Sequence, residues 1–487
     1  MEKYYHGVRV LEADTPIPSP VVGTSGLQVI FGTAPVNLAK NPTGVTNIPI
    51  ICNTFDECKE KLGYSDDWKS YTLCQSMDAS FRVFNVAPVI FVNVLDPKKH
   101  KTAVEAADFP VSNGKAKIAV KGLLLDSINI KSSENTLVKG TDYILTFDSE
   151  GYVIATILSS STHAAVTQIN VTGEKIDPSA VTEEDIIGGY DSDTGMESGI
   201  ELVRKIYPMF GLAPSLLLSP GWSHKPAIGA VLASKCEEIN GVFTCETILD
   251  LDTSSVGAAK YTDCEALKKE QGYTDKHSVV LWPMVKKGSK IYYYSAIFAA
   301  LTSYTDIGND DVPNLSPSNR LLRVDSSVIE DGSDVLLDIV QANELNSCGI
   351  VTAINSQGYK AWGNNSACYP EIKIPRDRFW PCRRFFSWWA NTFILTYFNK
   401  VDNPGNRVLI ESICDAENIR GNSYVSQGKC AGARIEFTEA DNPIGGLIDG
   451  KLVFRQHLAQ FTPAEDIVNI LSFDPDMLKA ALTGGEE

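Results

Sequence analysis

Histidine and cysteine are the side chains here with most scope for metal ligation or nucleophilic chemistry, and their spacing supports neither. The six histidines, His6, His100, His163, His224, His277 and His457, stand alone, with no His-Glu-x-x-His pair and no cysteine at ligand spacing. Each reads as a surface or hydrogen-bonded core residue. Eleven cysteines, an odd number, are scattered without a Cys-x-x-Cys, the pattern of small buried thiols rather than a disulfide framework. The run Gly188-Gly189-Tyr190-Asp191-Ser192-Asp193-Thr194-Gly195 lacks the lysine that a phosphate-cradling loop needs. As a calcium loop it puts Gly195 where a third ligand belongs and Leu202 where the bidentate glutamate belongs. It is expected to be a loop capping a helix that starts near Ser198. Gly23-Thr24-Ser25-Gly26 misses the spacing of a nucleophile elbow. The sequence assigns no catalytic residue, no metal site and no cofactor, and the expected reading is not an enzyme.

Charge gives a second line of argument. The chain carries a formal net charge of -17 over 487 residues, which repels phosphate backbones and anionic membranes, so neither nucleic acid nor membrane insertion is expected. Against that background the stretch 371–400 is reversed. It holds Lys373, Arg376, Arg378, Arg383, Arg384 and Lys400 against Glu371 and Asp377, and its aromatics Phe385, Trp389, Phe393 and Tyr397 recur every four residues. That period implies a helix packing one side into the protein, with the arginines near its start free to point elsewhere.

The elements around these residues divide the chain. Its length favours several cores, and the text reads as an α/β and α+β multidomain protein. Residues 1–26 form an extended arm, with one strand on a proline-stiffened lead. Residues 27–100 and 188–345 alternate apolar strand-like runs with helical patterns, as in a mainly parallel sheet with crossover helices. Residues 101–187 break that pattern with short Ile/Val/Thr segments and turn signals such as Asn113-Gly114, an inserted antiparallel β domain. Residues 346–463 read as a C-terminal α+β domain, opening with a strand at 350–355 and closing with one at 451–461. Residues 464–487 read as a C-terminal arm holding a last strand at 467–473.

The stretch Asn346-Ser347-Cys348-Gly349-Ile350-Val351-Thr352, followed by Trp362-Gly363-Asn364-Asn365-Ser366, resembles the signature of contractile tail sheath proteins. Agreement in order elsewhere includes His6-Gly7-Val8-Arg9-Val10, Leu217-Leu218-Ser219-Pro220-Gly221, Ser316-Pro317-Ser318-Asn319 and Gly450-Lys451-Leu452-Val453-Phe454. Asn365-Ser366 stands where that family often has Arg-Thr.

The resemblance implies a structural subunit of a phage tail, a phage-tail-like bacteriocin or another contractile injection system. It would polymerise helically around an inner tail tube protein and meet baseplate and tail terminator proteins. Contraction, without nucleotide hydrolysis, would then drive the tube through a bacterial envelope. The subunit would sit in the virion tail after synthesis and assembly in the host bacterial cytoplasm, and the β domain would face outward. On this reading Tyr5, Val8, Val10, Ile467, Val468, Ile470 and Leu471 exchange as strands between subunits, and Arg376, Arg378, Arg383 and Arg384 contact the tube. Two alternatives stand beside it, an α/β enzyme with a β insertion and a tail-associated adhesin.

Overall fold

The computed structural model describes residues 24–133 and 135–483, so Tyr5, Val8 and Val10 lie outside the described residues. At its centre is an eight-stranded sheet in the order Pro49–Cys52, Val89–Asn93, Gln28–Gly32, Leu216–Leu218, Glu246–Asp250, Ser278–Leu281, Ile350–Asn355, Tyr359–Trp362. The inner six strands run parallel, and the first and last are antiparallel edges. Runs such as Val89-Ile-Phe-Val and Leu216-Leu-Leu are apolar without alternation because helices cover both faces of a parallel sheet. Helix Phe55–Leu62 starts where Thr54 accepts a hydrogen bond from the Glu57 amide, 3.2 Å. It stops at Gly63, whose φ is 77° and where a Cβ would lie 2.3 Å from the Pro35 carbonyl oxygen, leaving no room for a side chain.

Several sequence expectations change here. The strand at 350–355, assigned to the C-terminal domain, instead extends the central sheet, with Val280 opposite Ile350 and Leu281 opposite Val351. Its partner lies about 70 residues upstream, and sequence adjacency carries no information about such pairing. The Gly188 run leads, as expected, into a helix that starts after Ser198, Gly199–Lys205, but the run itself is a hairpin, Gly189–Asp191 pairing Met196–Ser198, with Asp191 accepting from the Asp193 amide and the Thr194 hydroxyl at 2.9 and 2.8 Å. Helix Tyr294–Ile307 was not anticipated at all. Twelve of its fourteen residues are buried, so it has no polar face to reveal a 3.6-residue period.

Residues 101–176 form two antiparallel sheets around a separate core that includes Ile118, Ile130, Val153 and Ile169. The lysine-rich lead is already part of it, since Lys101–Pro110 is a ten-residue edge strand along Gln168–Ile176. That strand is largely exposed, with Val104, Ala107 and Phe109 partly buried and Val104 and Phe109 packed on that core.

Toward the C-terminus, helix Trp380–Tyr397 buries Phe385, Trp388 and Trp389 against Val312, Cys430 and Tyr424. Helix Arg407–Ser426 follows and packs on a two-stranded sheet of Gly432–Glu436 with Arg455–Ala459. Among the described residues no helix is long and apolar enough to cross a membrane.

Candidate functional site

The two-stranded sheet has unequal edges. Asn418, on helix Arg407–Ser426, caps the outside of Gly432–Glu436 by accepting from the Ile435 amide (3.0 Å) and donating to its carbonyl (3.2 Å). The outside of Arg455–Ala459 has no strand beside it among the described residues. An uncovered edge of this kind is a template for another strand.

From residue 460 to 474 the chain has no regular structure, and helix Pro475–Thr483 ends the described part. The expected strand at 467–473 does not form within the chain, because a strand requires a ladder partner and none lies beside it here. Ile467, Val468, Ile470, Leu471 and Phe473 are 72–87% exposed, an apolar run that no part of the described chain covers.

The four arginines are not free. Arg384 is buried and forms a bidentate pair with Asp306, itself at 0% exposure on the buried Tyr294–Ile307 helix. Arg383 and Arg376 both bind Asp377, at 2.9 and 2.8 Å, and hold its carboxyl below the usual range against the opposing effect of burial. Arg378 donates to Glu465 (2.8 Å) and to Asn365 (2.8 Å) and lies over the Tyr369 ring at 4.4 Å. The expectation of unattached arginines is corrected for all four, and most firmly for Arg384. A carboxylate buried on another element recruits a guanidinium from a distant part of the sequence, and only the tertiary fold reveals that pairing.

Around Arg378 the signature residues line a cleft of about 710 Å³ that also includes Ser316, Arg320 and Asp466. Their amides act as stitching. Asn346 donates to the carbonyls of Ile350 (2.9 Å) and Trp362 (3.0 Å), closing the edge hairpin, and a Cβ on Gly363 would collide with the Asn346 amide nitrogen at 2.8 Å. Asn364 donates to Glu465 at 3.2 Å. Asn365, standing where the resembling family often has arginine, orients Arg378 and donates to the Asn346 carbonyl at 2.9 Å.

The histidines and cysteines sit in structural surroundings. His100 accepts from the Asp96 amide at 3.0 Å and faces Asp185 at 3.3 Å, and His277 lies between Glu237 and Glu246 at 3.2 and 3.5 Å. All eleven cysteines are free thiols, nine of them buried. Among the described residues no three His, Cys, Asp or Glu side chains converge as a metal site would require.

An α/β body carrying an uncovered sheet edge and an apolar terminal segment without a partner is built as an assembly subunit. Comparison with known proteins specifies the family. The chain is 26% identical over 474 residues to the tail sheath protein of Burkholderia phage BcepMu, covering 95% of each. It is 24% identical over 336 residues to the major tail sheath protein of Serratia phage KSP20, covering 66% of this chain and 78% of that one. Among solved structures, the sheath complex of the PVC extracellular contractile injection system in its contracted state matches with a TM-score of 0.58 at 15% identity, covering 98% and 99% of the two chains. The contracted helical sheath of the anti-feeding prophage matches at 0.57 and 13% identity, covering 96% and 99%. At such identities the structural likeness shows the fold. No protein-family profile matches the chain. In sequence the chain is similar to phage tail sheath proteins along nearly its whole length, and in fold to contractile sheath subunits.

Proposed function

We propose that this protein is the repeating subunit of a contractile sheath, polymerising helically around an inner tube, held by baseplate and terminator proteins, and contracting without nucleotide hydrolysis to drive the tube through a bacterial envelope. The observation that carries the reading is the combination of an open edge at Arg455–Ala459 with an exposed apolar segment at 467–473 that has no partner among the described residues. A segment from one copy added to the edge of another makes a heterologous contact that does not close, which generates a helix rather than a ring dimer. Tyr5, Val8 and Val10 are proposed to exchange in the same way. The 101–187 unit is proposed to face outward. Of the four arginines, Arg376, with its side chain 49% exposed, is the one proposed to reach the tube.

Four to six ladder bonds at roughly 1 kcal/mol net each would contribute several kcal/mol per subunit. Deleting residues 464–487 is therefore expected to leave a soluble protein that melts cooperatively but forms no tubes by electron microscopy. Loss of the cooperative transition itself would place the segment in its own domain and refute strand addition.

A further inference from the structure

The stretch 376–384 holds more than the start of a helix, because it touches the chain at the root of each terminal segment. On the C-terminal side, Glu465 receives Arg378 on one carboxylate oxygen (2.8 Å) and Asn364 on the other (3.2 Å), one residue before the exposed segment begins. Arg378 is itself aimed by Asn365 and by stacking over Tyr369. On the N-terminal side, Ser25 lies two residues into the described chain and is held from three directions. Its amide and hydroxyl donate to Asp311 at 3.0 and 2.9 Å, and its carbonyl accepts from Arg384 at 3.0 Å. Arg384 is fixed in turn by its pair with Asp306.

We infer that residues 376–384 form a common anchor that sets the exit direction of both terminal arms, Arg378 through Glu465 and Arg384 through Ser25. The inference rests on the strand-addition reading above and adds to it the residues that position the arms. Segments that must find a neighbour's sheet edge lose orientational freedom on docking, and an exit fixed in advance reduces that loss. The geometry also explains why four cations cluster in a stretch of an acidic protein. Two of them secure arm roots, and the other two pair with Asp377, Arg376 from beside it and Arg383 from the next helix.

Arg378 and Arg384 are positioning residues, so the test reads arm geometry as well as assembly. In the full chain, with the two partly accessible cysteines Cys348 and Cys414 changed to serine, spin labels at Asn469→Cys and Gln427→Cys are expected to give a narrow distance distribution. Arg378→Met should broaden it and raise the threshold concentration for tube formation about tenfold, the factor for loss of one partly exposed charge-assisted hydrogen bond. The swap Arg378→Glu with Glu465→Arg should restore both, which a purely structural role for Arg378 would not allow. On the N-terminal side, Arg384→Met with Asp306→Leu replaces the buried pair by apolar side chains and removes one of the two donors to the Ser25 carbonyl, the Ser215 hydroxyl being the other, and Asp311→Ala frees the Ser25 amide and hydroxyl without touching the pair. Each should raise the threshold by a similar factor while the protein still melts cooperatively. Thresholds and distances equal to those of the parent protein would overturn the anchor while leaving strand addition standing. Normal tubes from the 464–487 deletion would instead overturn strand addition.

Discussion

Asp250 sits at the carboxyl end of strand Glu246–Asp250, 3% exposed, in the middle of the central sheet. One oxygen accepts from the Ser295 amide at 2.8 Å, and the other accepts from the hydroxyls of Ser295 and Ser223. No cation is among these partners, and burial pushes its carboxyl up to about 6 despite the three donors. The ordinary value is 3.8, so the shift is about two units, or roughly 3 kcal/mol at 1.36 kcal/mol per unit. Because the folded pKa is raised, the folded state binds more protons than the unfolded chain between about pH 4 and 6, and this residue's contribution falls as pH rises through that window. Asp250→Asn keeps the shape and removes the charge. Its amide loses one acceptor for the serine hydroxyls, at a cost of about 1 kcal/mol. The variant is therefore expected to lie slightly below the parent near pH 4 and to exceed it by about 2 kcal/mol at pH 7.5, a rise in melting midpoint of roughly 2–4 °C. Scanning calorimetry at submicromolar protein keeps stabilisation by assembly out of the comparison. A variant less stable than the parent at pH 7.5, with a parallel pH profile, would mean that the carboxylate is ionised and well solvated in place, and the reasoning would fail.

Arg384→Ala should destabilise by about 3–5 kcal/mol in urea titration, since it leaves Asp306 charged and alone in the core; a cost below 1 kcal/mol would mean that the pair is hydrated. Lys268, 4% exposed, donates to the carbonyls of Cys348, Ala367 and Tyr369 at 2.7, 2.7 and 3.0 Å, and burial lowers its pKa only to about 8, so the ammonium is charged at neutral pH. Lys268→Met strands three buried acceptors and is expected to cost about 3 kcal/mol by the same titration. Replacing residues 101–176 by a short Gly/Ser linker should leave a folded protein that still forms tubes in the microscope, because Lys101 and Ile176 are register partners and the two cut ends lie side by side; a folded protein that never assembles would make the unit part of the polymer's framework.

What the sequence disclosed follows from where the physical signal is local. The inner strands are apolar in both directions and bounded by turn residues, so Leu216–Leu218 and Ser278–Leu281 were recognisable one by one. Helix Tyr294–Ile307 is as apolar as a strand and as long as a helix, but burial on all sides erases the periodicity that separates the two. Ile350–Asn355 was read correctly as a strand and placed in the wrong sheet, because a strand carries its own propensity but not its neighbour's address. The arginines show the same limit in electrostatics. A charge excess over 30 residues was visible, whereas Asp306 and Glu465, some 80 residues away on either side, were not connectable to it without the fold. The hydrogen-bonding role of Asn364 and Asn365 left no signal of its own beyond the resemblance that pointed to the segment.

The placement of these charges bears on how such a subunit can be strong and still rearrange. Inside the body, ion pairs are buried or hydrogen-bonded on both sides. Arg384 with Asp306 and Arg420 with Glu417 under Trp389 are of this kind, and breaking them leaves a desolvated charge. The first ties helix Trp380–Tyr397 to the buried helix Tyr294–Ile307, the second sits within helix Arg407–Ser426 and packs it on Trp389, and both oppose internal deformation. The segment that reaches outward has the opposite character, an apolar run without internal hydrogen bonds whose affinity comes from main-chain pairing and side-chain burial once it meets an edge. Main-chain ladders tolerate rotation of the bodies they join, because their bonds run only between the docked strand and the edge that receives it. A sheath built this way would change its packing at the exposed surfaces between bodies, where ion pairs are weak and solvated, while the strand links and the buried pairs both persist. On the proposed function, the energy released in contraction therefore lies in contacts between bodies, and neither in the arms nor within the subunit.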